Sequence, residues 1–121
     1  DINNNSIVVK MAYGMVQFLF CSDIQHKAEE NMVNVYGNRL YSRVIKVPCH
    51  GSELSSSWNF LKQVSPDIAV ISAGRKNKPE HLESITIEKY RKTGCRIYRT
   101  DINGAVIITT DGKNLKVKLM R

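Results

Sequence analysis

Several hallmarks of membrane and disulfide-rich proteins are missing from this chain of 121 residues. No segment reaches the roughly 18 uninterrupted apolar residues that a membrane helix needs, and the best run, Met15 to Cys21, is broken by Gln17. No signal peptide is visible, so we predict a soluble segment, whose parent could still be membrane-bound. Cys21, Cys49 and Cys95 form neither a disulfide framework nor a CxxC zinc pattern, which makes reduced thiols the expectation.

The composition is typical of one globular domain, which we place over residues 1–121. Hydrophobic residues make up 42% of the chain, enough to bury a core. Lysine and arginine number 18 against 11 acidic residues, which gives a formal net charge of +7. This excess favours polyanionic partners such as nucleic acid, although a solubilising or subunit surface is the simpler alternative.

Apolar periodicity and turn residues predict the element order β-β-α-β-α-β-α-β-β-β. The predicted strands cover residues 7–13, 15–21, 43–47, 67–72, 95–99, 105–110 and 115–119, and the predicted helices cover residues 24–36, 58–64 and 84–93. Ser57 is a plausible cap for the second helix, and Asp111 with Gly112 predicts a hairpin turn. This order predicts an α/β fold, a mixed β-sheet with helices packed on it.

Polar residues that follow three of the predicted strands are the candidates for chemistry. Asp23 follows the second strand, Cys49 and His50 follow the third, and His81 lies beyond the fourth. Carboxylate oxygen and imidazole nitrogen are good ligands for Zn²⁺ or Mn²⁺, so Asp23, His50 and His81 could converge on one cleft. The alternatives are a helix cap for Asp23 and solvated loop positions for the two histidines.

A basic loop and the helix after it form a second candidate surface, with DNA as the partner. Its proposed phosphate contacts are Arg75, Lys76, Lys78, Lys89, Arg91 and Lys92. Binding through such residues would weaken strongly with added salt. The alternative is a solvated loop and helix face with no ligand.

Three segments resemble a known family. Val44 to Ser57, VIKVPCHGSELSSS, resembles the K-V-x-H-H-G-S-x-x-S-S-S segment of the C-terminal soluble domains of ComEC-type late-competence DNA-uptake proteins, which have a metallo-β-lactamase fold. Phe18 to Ile24, FLFCSDI, is similar to that family's F-L-L-T-G-D-I. Gly94 to Asp101, GCRIYRTD, is similar to its G-A-x-V-Y-R-T-D. The resemblance covers the chain from about Asn3 to Thr110.

The resemblance implies the C-terminal half of a metallo-β-lactamase-like αββα sandwich. It implies metal-dependent DNA processing during uptake, with Zn or Mn in the parent domain and a parent in a bacterial inner membrane. Asp23 would then be a metal-bridging carboxylate and His50 a metal ligand. Cys49 would stand where the family has a first histidine and could still bind Zn²⁺ there as a thiolate, and His81 would be the late active-site histidine.

The sequence also departs from that family, because the metal motif H-x-H-x-D-H is absent. The resemblance therefore implies a chain that is inactive by itself. A half-sandwich leaves one apolar sheet face to be covered, so the expected partner is the missing N-terminal half or a second copy of the chain. The alternative function is a non-catalytic nucleic-acid-binding or protein-interaction module.

Overall fold

The computed structural model describes residues 5–74 and 84–120. The strands are β1 (Val8–Tyr13), β2 (Val16–Cys21), β3 (Val44–Lys46), β4 (Ile68–Ile71), β5 (Arg96–Arg99), β6 (Ala105–Thr110) and β7 (Leu115–Met120). The helices are α1 (His26–Tyr36), α2 (Trp58–Val64), α3 (Ser84–Lys92) and α4 (Thr100–Asn103). Within the described residues the predicted order of elements is confirmed, and the structure adds the short α4 and two 3-10 helices, Gly37–Leu40 and Pro48–Gly51.

Two sheets make up the β-structure of the described residues. The larger has five strands in the order β1-β2-β3-β4-β5, and the smaller is the β6–β7 hairpin. β1 is antiparallel to β2, whereas β2 to β5 run parallel to one another. The predicted α/β class with a mixed sheet is therefore confirmed. Because β2, β3 and β4 are parallel, the loops that follow them emerge at one edge of the sheet.

One face of the large sheet packs against the helices and forms the main core. The sheet contributes Leu19, Ile45, Ala69 and Ile71, and the helices contribute Phe60, Leu61, Val64 and Tyr90. Each of these side chains is almost completely buried. Full burial of a large apolar side chain is worth about 1.5–3 kcal/mol, so this layer is the principal source of the fold's stability. No helix among the described residues has the length and hydropathy to traverse a bilayer.

The β6–β7 hairpin packs on the opposite face of the large sheet. Val16, Phe18, Val44 and Ile68 of the sheet are buried beneath Ile108, Leu115 and Val117 of the hairpin. The chain thus covers part of the face for which the sequence predicted an external partner. The corner formed by β1 and β2 stays open, and it exposes Val9, Met11, Tyr13 and Phe20.

A close backbone contact holds the tip of the hairpin on the sheet. The amide of Met15 donates a hydrogen bond of 2.6 Å to the carbonyl oxygen of Gly112. The side chain of Arg43 donates to the carbonyl oxygen of Lys113 at 3.2 Å. Gly14 has a φ of +58°, and a Cβ on it would lie 2.5 Å from the Gly112 oxygen. The β1–β2 turn therefore needs glycine for its conformation and for its contact with the hairpin.

We expect Gly14→Ala to lower the free energy of unfolding by about 3 kcal/mol, because the new Cβ combines a left-handed backbone with a backbone clash. Gly94→Ala is the matched control, since Gly94 has a φ of +83° but no atom within 4 Å of the position that its new methyl group would take. It should cost only about 1 kcal/mol. Urea unfolding of both variants measures the difference, and equal losses would show that the Gly14–Gly112 contact does not hold the hairpin.

Candidate functional site

Asp23 and His50 come together at the edge where β2, β3 and β4 end. Asp23 follows β2, and His50 lies in a short 3-10 turn, Pro48–Gly51, after β3. His50 Nε2 is 3.5 Å from Asp23 Oδ1, and both side chains are about half exposed. His81, the third predicted member of this cleft, lies outside the described residues.

The orientation of the His50 ring determines which nitrogen faces Asp23. His50 Nδ1 lies 2.8 Å from the carbonyl oxygen of Ser72, just after β4. A carbonyl oxygen can only accept, so Nδ1 carries the proton and donates it. In the neutral ring the lone pair is then on Nε2, toward the Asp23 carboxylate. A backbone carbonyl oxygen orients many metal-ligating histidines in this way. When the ring is charged, His50 and Asp23 form an ion pair instead.

The loop that carries His50 has an unusual backbone. Cys49 and His50 both have a φ of 53°, in the left-handed region that side chains disfavour by about 1–2 kcal/mol per residue. The amide of Cys49 donates a 2.9 Å hydrogen bond to the carbonyl oxygen of Ser22, which ties this loop to the loop carrying Asp23. Strained backbone of this kind clusters at functional sites. The half-buried Cys49 contrasts with Cys21, whose burial raises its pKa to about 12.

Asp23 does not cap a helix, so that interpretation of the sequence is wrong. Helix α1 begins at His26, and its N-cap is Gln25, with no side-chain hydrogen bond to the cap. A residue outside the helix satisfies the first backbone amide of α1 instead, because the amide of His26 donates to the carbonyl oxygen of Leu54 at 3.1 Å. The Asp23 carboxylate is therefore left facing His50.

The three consecutive serines before α2 are structural. Ser55 Oγ donates to the carbonyl oxygen of Ile24, and Ser56 Oγ shares a 2.7 Å hydrogen bond with Tyr90 Oη. Ser57 Oγ accepts from the amide of Phe60, which confirms the predicted cap of α2. These bonds fasten the end of the His50 loop to the β2–α1 connection and to α3.

Glu29 is a structural residue of the site that sequence reasoning missed. Its side chain is completely buried. One carboxylate oxygen accepts from the amide of Ser56 at 2.6 Å, and the other accepts from the amide of Ser57 at 2.9 Å. The signal was its position, three residues before Met32 on the side of α1 that faces the core. Burial raises the pKa of Glu29, although the two amides act in the opposite direction.

The predicted basic surface is described only in part. Arg75, Lys76 and Lys78 lie outside the described residues. Lys89, Arg91 and Lys92 lie in the last turn of α3, where positive charge is favoured by the helix dipole. Lys89 Nζ donates to the carbonyl oxygen of Ser56 at 3.3 Å, and Arg91 pairs with Glu88 at 3.2 Å. Two of these three cations thus have partners within the protein.

Within the described part of the chain, Asp23 and His50 place one carboxylate and one imidazole at the edge of the sheet. Among residues 5–74 and 84–120, no group of three or more His, Cys, Asp or Glu side chains is placed to hold a metal ion. A zinc site usually has four ligands.

The fold and the site define an α/β protein with a polar pair at the carboxyl edge of its parallel strands, and comparison with known proteins shows that the chain is related to one segment of bacterial competence proteins. The chain is 36% identical, over all of its 121 residues, to 18% of the length of competence protein ComA of Neisseria gonorrhoeae. It is 33% identical over 104 residues, 86% of this chain, to ComE operon protein 3 of Bacillus subtilis, of which it covers 13%.

A further relative is recombination protein 2 of Haemophilus influenzae. It is 28% identical over 119 residues, which are 98% of this chain and 15% of that protein. The chain thus spans less than a fifth of the length of these relatives. No family model and no solved structure matches the chain. The similarity therefore connects this chain with one segment of much longer competence and recombination proteins.

We expect Glu29→Ala to lower the free energy of unfolding by about 3 kcal/mol at neutral pH, because it leaves the amides of Ser56 and Ser57 buried without an acceptor. Glu30→Ala is the matched control, since Glu30 is the next residue of α1 and is exposed. It should change stability by less than about 0.5 kcal/mol. Chemical denaturation compares the two, and a similar small loss in both would contradict the structural role of Glu29.

The raised pKa of Glu29 predicts the direction in which the free energy of unfolding changes with pH. The folded state keeps a proton that the unfolded chain releases near the ordinary value of 4.5. The contribution of this bound proton to the free energy of unfolding is therefore complete below pH 4.5 and is lost as the pH rises through the raised pKa of Glu29. In this interval we expect the wild type to lose stability relative to Glu29→Gln by up to about 1.4 kcal/mol per pH unit. Urea unfolding across this pH interval measures the difference. If the wild type instead gained stability relative to Glu29→Gln as the pH rises, the pKa of Glu29 would be lowered in the folded state.

Proposed function

We propose that this chain is the C-terminal part of a metallo-β-lactamase-fold domain in a competence protein and supplies part of its metal site. The observation that carries the proposal is the Asp23–His50 pair, 3.5 Å apart at the edge of the sheet. The similarity to competence proteins, which covers all of the chain in one relative and 86% of it in another, supports the proposal. The proposed activity of the parent is metal-dependent DNA processing during uptake across a bacterial inner membrane.

The residues present fit a divalent cation in two respects. Asp23 offers a carboxylate oxygen and His50 an imidazole Nε2, donors that suit Zn²⁺ or Mn²⁺. The Ser72 carbonyl oxygen holds the His50 ring in the tautomer that a ligand needs. When bound, such a cation supplies hydroxide near neutral pH and stabilises charge on a phosphate. The roles proposed for Cys49 as a thiolate ligand and for His81 in catalysis rest on the family resemblance alone.

The two donors among the described residues, Asp23 and His50, need further ligands to complete a metal site. We propose that the remaining ligands come from the missing N-terminal half of the fold, or from a second copy of the chain in its place. The exposed apolar corner at Val9, Met11, Tyr13 and Phe20 supports this contact, because such a surface is normally covered. It follows that the isolated chain is not expected to hydrolyse DNA.

The alternative is a non-catalytic nucleic-acid-binding or protein-interaction module. Its support is the formal net charge of +7, which favours a polyanion such as DNA. The contacts of Lys89 with Ser56 and of Arg91 with Glu88 do not favour it. The metal-binding proposal is preferred because it accounts for the approach of Asp23 to His50.

Calorimetric titration of the chain with Zn²⁺, and separately with Mn²⁺, tests the proposal. We expect weak binding at one site, with the affinity reduced at least about tenfold by Asp23→Ala and by His50→Ala. His26→Ala is the matched control, because His26 is an exposed histidine at the start of α1. Affinity that is unchanged in both site variants, or that falls equally in the His26 variant, would refute the assignment.

A further inference from the structure

A groove of about 510 Å³ lies between β1 and α1, away from the pair just described. Val8 and Lys10 of β1 form one wall, and Ile24 and Met32 form part of the other. The groove is on the helix side of the large sheet, where Val8 and Lys10 point to the same face because they are two residues apart. Its walls are mainly apolar, so it can receive hydrophobic side chains.

The same groove carries two cations, Lys10 and Arg39, that no acidic side chain of the described residues neutralises. Lys10 Nζ donates to the carbonyl oxygen of Arg39 at 2.5 Å, and Arg39 Cζ lies 5.3 Å from the centre of the Tyr36 ring. None of the described residues that line the groove is acidic. Neither Lys10 nor Arg39 forms an ion pair within the described part of the chain. The groove is thus complementary to a group that is apolar along its length and negatively charged beside Arg39.

β1 also has an unpaired outer edge that runs along the groove. It is the first strand of the five-stranded sheet, and among the described residues its only strand partner is β2. In an antiparallel pair, every second residue directs its backbone N–H and C=O away from the partner strand. β1 contains no proline that would block these groups. Such an edge is a template for one more strand.

We propose that the β1 edge and the groove beside it form a docking site for an extended, acidic segment of a partner protein. The segment adds to β1 as a further strand, which gives affinity through main-chain hydrogen bonds. Its alternate side chains enter the groove, with an acidic residue beside Lys10 and Arg39. Charge favours this occupant over a second copy, because pairing two β1 strands would bring together two Lys10 side chains on chains of net charge +7.

The first test uses fluorescence anisotropy with a labelled octapeptide of four valines followed by four glutamates, which presents valine and glutamate on the same face of a strand. We expect saturable binding that Arg39→Glu weakens by about tenfold or more. Lys116→Glu is the matched control, since it makes the same charge change at an exposed position of β7, and it should bind nearly as well as the wild type. Equal weakening in both variants, or equal binding of an octapeptide of four valines followed by four lysines, would overturn the proposal.

The second test uses the unaltered chain, so that it does not depend on the folding of a variant. Binding of the block peptide should slow hydrogen exchange at the amides of β1 that face away from β2. A peptide of alternating valine and glutamate has the same charge but offers the groove only valines or only glutamates, and at the same concentration it should protect these amides much less. Unchanged exchange in β1, equal protection by the alternating peptide, or protection that follows self-association of the chain without peptide would each overturn the proposal.

Discussion

The buried carboxylate of Glu29 is the interaction on which the candidate site depends. It accepts the amides of Ser56 and Ser57 from within the core, and thereby joins α1 to the start of α2. The hydroxyls of Ser55 and Ser56 extend this junction to the carbonyl oxygen of Ile24 and to Tyr90. A buried carboxylate is tolerated only when its oxygens are satisfied. Satisfying it here fixes the end of the loop whose beginning presents His50.

The parallel arrangement of β2, β3 and β4 brings the polar groups of the candidate site together. Asp23, His50 and Ser72 are far apart in the sequence, but they follow three adjacent parallel strands and so reach one edge of the sheet. The Ser72 carbonyl oxygen orients the ring of His50, and the ring in turn faces Asp23. The left-handed backbone at Cys49 and His50 is the local cost of this arrangement. A rigid sheet that carries a strained loop is a common way of building a site.

The elements were predictable because their patterns are local, whereas the contacts that join them are not. Apolar runs identified the strands, and Ser57 identified the cap of α2, since each signal lies within a few residues. The four residues of α4 are too few to show a helical period, so that helix was missed. The spacing of Glu29 from Met32 places it on the core side of α1, but its role as an acceptor emerges only when Ser56 and Ser57 are placed beside it. The docking of the hairpin depends on Gly14 meeting Gly112, a contact between opposite ends of the chain.

The central claim is that the fold orients the His50 ring with Nδ1 toward the carbonyl oxygen of Ser72 and Nε2 toward the carboxylate of Asp23. Long-range proton–nitrogen correlation spectra of the imidazoles test it most directly at alkaline pH, where histidine side chains are neutral. The account predicts that His50 carries its proton on Nδ1, with Nε2 showing the shift of an unprotonated nitrogen. A His50 that is protonated on Nε2, or that averages between tautomers as a free side chain does, would contradict it.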